Sequence, residues 1–144
     1  SLFKLIFKRG AWRSIDPLVD AYSLVSLRTR VSIGAHDLAR LTPPVQLAAT
    51  QGGESFVPIG ETTPLMLGAG EYAYRDAAGR ILGRMEIRQA ADTCVTATTR
   101  DLLFIVQGHA ALPGPVLAET AHQLIDTLRT LVGPIDEVSF NAVD

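Results

Sequence analysis

Apolar residues recur at helical spacing near both ends of this 144-residue chain and at every second position through its middle. That order leaves no room for regular β-α alternation. Asp16-Pro17 opens the first full helix, because the aspartate accepts from free backbone N–H groups and proline fits the first turn without losing a needed donor. Leu18, Tyr22 and Val25 then share a face as far as about Arg28, which leaves Asp20, Ser23 and Ser26 to meet solvent or a cleft. Gly34 and a short turn from Asp37 to Leu41 follow, closed by Pro43-Pro44. Near the other end, Pro113-Gly-Pro115 precedes the longest helix, with an apolar stripe of Leu117, Ala121, Leu124, Leu128 and Leu131 that stops at Gly133-Pro134.

Between the helices, Val45, Leu47 and Ala49 alternate with Gln46, Ala48 and Thr50, the period of a half-buried strand. Residues 51–54 are expected as a turn, and Ser55 to Ile59 as an extended piece that Pro58 places at an edge or an irregularity. Glu71 to Ile87 reads as a hairpin turning at Asp76-Ala-Ala-Gly79. Ile81, Gly83, Met85 and Ile87 are expected on one face, with Arg80, Leu82, Arg84 and Glu86 on the other. Arg88 to Cys94 is expected as an irregular polar link, and Thr96 to Arg100 as one helical turn. The unbroken Leu102 to Val106 suits a strand covered on both sides, and Val138 and Phe140 suit a last strand in the tail from Ile135 to Val143. The sum is an α+β domain, two or three helices against a mostly antiparallel sheet, in a single domain over residues 1–144.

Composition narrows the function classes. One cysteine, Cys94, excludes an internal disulfide framework, and three histidines without a second cysteine make no familiar zinc pattern, so no metal is expected. A reducing, cytoplasmic setting is the simplest one. No apolar run approaches the roughly 20 residues that cross a bilayer, so no membrane partner is expected. The net charge of -2 lacks the footprint of a protein that grips long DNA. The cluster Lys4, Lys8, Arg9 and Arg13 is either solvated or a local RNA contact. Gly68-Ala-Gly70 lacks the third glycine, strand and helix of a dinucleotide loop, and no cofactor is expected. Leu2, Leu5 and Ile6 look like the end of a helix. The chain is expected to begin inside a longer polypeptide or after processing.

Three stretches in order resemble one family. Asp16 to Leu27 followed by Ser32 to Leu38 is similar to the helix and loop of B3/B4 domains, Gly70 to Gly79 to their hairpin, and Arg88 to Arg100 to the segment before their apolar strand. The resemblance is to the B3/B4 editing domain of the phenylalanyl-tRNA synthetase beta subunit, here in stand-alone form and expected to lack an N-terminal part that such proteins usually carry. It implies removal of a wrong amino acid from a charged tRNA, with the acceptor end of an aminoacyl-tRNA as partner. Where these domains have a histidine after the first helix this chain has Gly34, with His36 two residues on, and their carboxylate falls at Ala91 or Asp92.

An aminoacyl ester is already reactive, so such a site needs positioned water, stabilised charge on the carbonyl oxygen and side-chain recognition. Asp92 is the candidate catalytic residue, able to hold the substrate ammonium or orient water. Arg88 suits a phosphate or the terminal ribose, Gln89 and Thr93 offer polarising hydrogen bonds, and Ser23 and His36 complete the substrate-binding set. The plainer alternative pairs Arg88 with Asp92 across a loop, makes Thr93 a cap and leaves His36 a surface residue in a turn. His109, His122 and Cys94 are expected to be structural, Cys94 as a small buried hydrophobe. Tyr72, Tyr74, Arg75, Arg80 and Arg84 on the hairpin serve either sheet packing or stacking on unpaired bases.

Overall fold

The computed structural model describes residues 16–85 and 87–141. Its elements are helix α1 (Pro17–Thr29), strand β1 (Ser32–Asp37), a 3-10 turn (Leu38–Arg40), strands β2 (Gln46–Ala49), β3 (Ser55–Phe56), β4 (Leu65–Met66), β5 (Tyr72–Arg75), β6 (Ile81–Arg84), β7 (Arg88–Gln89) and β8 (Leu102–Gln107), and helix α2 (Gly114–Leu131). They group into two compact units. One holds residues 34–105, and the other combines residues 16–33 with residues 106–141. The fold class is mixed α+β, and every strand pair with a resolved register is antiparallel. The expected terminal helix around Leu2 and Leu5, the basic cluster and Glu86 lie outside the described residues.

The strand-rich unit is built on a four-stranded sheet in the order β2-β5-β6-β7, with β3 and β4 forming a separate pair. Phe56, Leu67, Ala73, Ile81 and Ala90 make its buried core, with Leu65 packed against them. Burying a side chain of the size of Phe56 or Ile81 contributes about 1.5–3 kcal/mol, so this cluster carries much of the unit's stability. Strands β1 and β8 pair as a two-stranded sheet.

The hairpin forms where the sequence places it, but its faces differ from the simple alternation. Tyr74 stands opposite Gly83 and Arg75 opposite Ile81, so Leu82 is the extra residue of a β-bulge. Alternation breaks there, and Ile81, Leu82 and Gly83 are buried in succession. Ile87, expected on the same face as Ile81 and Gly83, is exposed because the strand ends at Arg84 and the chain turns before β7. Gly83 is required at its position: a Cβ there would collide with the carbonyl of Arg88 on the adjacent strand.

Asp76 organises the turn. Its carboxylate accepts from the backbone N–H groups of Ala78 (3.0 Å), Arg80 (2.8 Å) and, from a distant part of the chain, Thr42 (3.0 Å). Burial works against its charge, but these three donors outweigh it and hold the carboxyl below the usual carboxylate range.

In the helical unit, Asp16 caps α1 by accepting from Leu18 and Val19 at 2.9 and 3.0 Å, and Arg30 ends it in the left-handed conformation. The two helices pack together, with Ala21, Ser23 and Val25 buried on α1 and Thr120, Leu124 and Leu128 on α2. Leu131, expected in the stripe, is exposed at the fraying end of α2. From Ile135 to Asn141 the chain is irregular and not a strand. Without a partner strand the alternation of Val138 and Phe140 has nothing to pair with, and the Phe140 ring instead lies 5.5 Å from that of His122. Strand β8 is half-buried at all six positions rather than covered on both sides.

Candidate functional site

The segment expected as an irregular link is stitched into the sheet. Arg88 and Gln89 form β7 against β6, and Ala90 donates to the Leu82 carbonyl at 2.7 Å. On its other side, Ile59 donates to the Gln89 carbonyl (2.9 Å) and Ala91 to that of Val57 (2.8 Å). Cys94 then closes a turn by donating to the Ala91 carbonyl at 3.3 Å, with Asp92 and Thr93 as the middle residues. Beyond it the chain meets β1: Asp37 donates to the Thr93 carbonyl at 2.9 Å, and His36 and Cys94 are antiparallel bridge partners.

His36 is therefore not a surface turn residue. It lies on β1, a strand missed in the sequence, and only 4% of it is exposed. Its Nδ1 is 2.9 Å from the hydroxyl of Thr93, which is itself 0% exposed, and 3.3 Å from the amide nitrogen of Gln89. That amide nitrogen also donates to the Ala35 carbonyl. Thr93 thus holds a histidine rather than capping a turn. Burial pushes the imidazolium pKa from its ordinary 6.5 to about 4, although the nearby Asp92 charge works upward, so the ring is neutral at physiological pH. Among the described residues its Nε2 has no hydrogen-bond partner. Nothing in the sequence around His36 announces this, since both of its partners lie more than fifty residues away.

The outward side of the same segment behaves differently. Asp92 has 59% of its side chain exposed and lies 3.6 Å from the Arg80 guanidinium, which also donates to the Arg40 carbonyl at 2.7 Å. Arg88 pairs with Glu61, not with Asp92 as the plainer reading expected. Asp37, next to His36, is buried and fully engaged, accepting from Ala39 (3.0 Å) and from the Thr99 hydroxyl (2.8 Å). Neither Asp37 nor Arg80 was singled out for the site beforehand. Thr96 to Arg100 makes a turn rather than a helix, and Cys94 is half-buried.

The structure thus brings His36, Gln89 and Thr93 together and leaves Arg88 and Asp92 on the rim in separate ion pairs. Ser23 lies on α1 in the helical unit, where it is buried. A surface hollow of about 360 Å³ in that unit is lined by Arg28, Thr29, Val116 and Thr120 among others and contains none of the six candidates. Among the described residues no group of histidine, cysteine and carboxylate side chains could hold a metal. Among them, too, no helix is long and apolar enough to cross a membrane.

This mixed α+β architecture is that of a known class of module. The B3/4 domain model matches residues 3–121, and the chain belongs to the B3/4 domain family. Among solved structures, it is similar to an N-terminal fragment of the phenylalanyl-tRNA synthetase beta subunit from Pyrococcus horikoshii. The TM-score is 0.66 at 19% identity, over 79% of this chain and 39% of that one. The chain therefore spans about two fifths of that fragment and shares its fold. No curated protein matches it.

Proposed function

We propose that this protein is a trans-acting aminoacyl-tRNA deacylase. Water attacks the ester carbonyl of a mischarged tRNA, and the amino acid leaves as its carboxylate while the ribose hydroxyl is restored. The observation that carries this reading is a nearly inaccessible, neutral imidazole with one nitrogen held and the other without a partner among the described residues, beside an exposed carboxylate. That nitrogen is open to a hydrogen-bonding group, and a substrate carbonyl is a suitable one. Asp92 is the candidate catalytic residue, holding the ammonium group or orienting water, and Arg88, paired with Glu61, exchanges that partner for a phosphate in this reading. The similar fold of a tRNA synthetase subunit fragment supports a tRNA partner and a cytoplasmic setting.

The outer face of the β2–β5 pair offers a place for unpaired bases. Leu47 stands opposite Tyr74 and Ala49 opposite Tyr72, so both tyrosines share one face, and Tyr72 is 53% exposed.

A panel of mischarged tRNAs incubated with purified protein tests the proposal. Hydrolysis of at least one above the buffer rate is expected, falling on the order of 10²-fold in Asp92→Ala. If all decay as in buffer, the enzyme reading fails. A second reading, a non-catalytic tRNA- or amino-acid-binding module, is favoured by the ion pairs that occupy Asp92 and Arg88. It predicts saturable binding of the same tRNAs without turnover.

A further inference from the structure

The geometry points to Gln89 and Thr93 as positioning residues that fix His36 in its neutral Nε2–H tautomer, so that the imidazole gives the site a hydrogen-bond donor rather than a base. This rests on reading the site as one for an acyl ester. Three observations fix the proton. The Gln89 side chain reaches the Ala35 carbonyl, which can only accept, so the amide must present nitrogen there and not oxygen. That places an N–H donor 3.3 Å from Nδ1, where a second N–H would be repelled. The third concerns Thr93. Its hydroxyl is wholly buried and has His36 Nδ1 as its only side-chain partner among the described residues. An O–H in that position donates to Nδ1, or its hydrogen goes unsatisfied inside the protein, which is strongly disfavoured. Nδ1 is therefore an acceptor, and the proton of the neutral ring resides on Nε2, the nitrogen without a partner among the described residues.

The consequence concerns the class of group this site receives. A neutral Nε2–H has no lone pair with which to take a proton from water, and it matches an acceptor such as a carbonyl oxygen, whose negative charge grows as water adds. His36 would then polarise the ester, and deprotonation of water falls to the exposed carboxylate side or to the substrate itself. Glutamine at position 89 matters because it donates. A glutamate there would accept, draw the proton to Nδ1 and reverse the ring's polarity.

The test is two-bond proton–nitrogen correlation NMR on the full, nitrogen-15-labelled chain at neutral pH, which reports the tautomer of each histidine. Wild type is expected to show His36 protonated at Nε2, Gln89→Glu to move the proton to Nδ1 or charge the ring, and Thr93→Ser to keep the wild-type pattern. A His36 signal protonated at Nδ1 in the wild-type protein overturns the assignment, as does an unchanged tautomer in Gln89→Glu. In deacylation, Thr93→Val is expected to fall about tenfold in kcat with KM little changed, and Thr93→Ser to stay within about twofold of wild type. The two ideas separate cleanly. An Nε2–H tautomer in a protein that hydrolyses nothing sinks the deacylase reading alone, and an Nδ1–H tautomer in an active deacylase sinks this one alone.

Discussion

Gln89 and Thr93 face one way from the strand and turn after the hairpin, and Arg88 and Asp92 face the other, yet all four residues lie within five positions of one another. The inward pair lies within hydrogen-bond distance of a buried ring. The outward pair is about half exposed and held by ion pairs to Arg80 and Glu61. Polar side chains of similar chemistry are thus divided between preorganised structure and adjustable rim. The dielectric around each decides which it becomes, since a buried polar contact has no water to replace it and a surface pair does.

The widest separation between the two sides is expected in the pH dependence of stability. The folded His36 pKa lies near 4 against 6.5 for the free side chain, so the unfolded chain binds more protons between those values. Stability contributed by the neutral ring is complete above about pH 6.5 and is lost as the pH falls toward 4, by on the order of 2–3 kcal/mol. Denaturant melts at pH 7 and pH 4.5 should show this loss in the wild type and a clearly smaller one in His36→Gln. An equal slope in both would remove the burial argument.

Next in size is Thr93→Val, which keeps the shape but removes the donor to Nδ1. It should cost about 1–3 kcal/mol in urea unfolding, whereas Thr93→Ser should cost less. The smallest effect belongs to the rim. Asp92→Ala and Glu61→Ala should each change stability by less than about 1 kcal/mol, because exposed ion pairs contribute little. A larger loss in either would mean that the rim is as structural as the interior and would blur the contrast.

How much of this was legible in the sequence depended on the range of the interaction that made each feature. Helix α1 could be read because Asp16 and Pro17 act on their own neighbours, and the hairpin because Asp76 and Gly79 define a local turn. Strand β1 could not, because Ser32 to Asp37 has neither alternation nor β-branched density and is extended only through its pairing with β8 and with Cys94. The two-residue strands β3, β4 and β7 are too short to display a period, and the bulge at Leu82 hides one. For the candidate site, the sequence pointed to the right segment and residue types. It did not say which of them point inward, because that is set by the turn that Cys94 closes onto Ala91 and by contacts with a strand more than fifty residues earlier.

The Asp76 carboxylate joins Thr42 to the hairpin tip with a single group. Two loops that are strangers in sequence are therefore fastened through that carboxylate and through Ala77, which donates to the Thr42 carbonyl at 2.8 Å, and neither can loosen without exposing polar groups of the other. Whatever alters the length or composition of the tip will be felt in the proline-bounded connection after β1, and the pair will behave under selection as one loop rather than two.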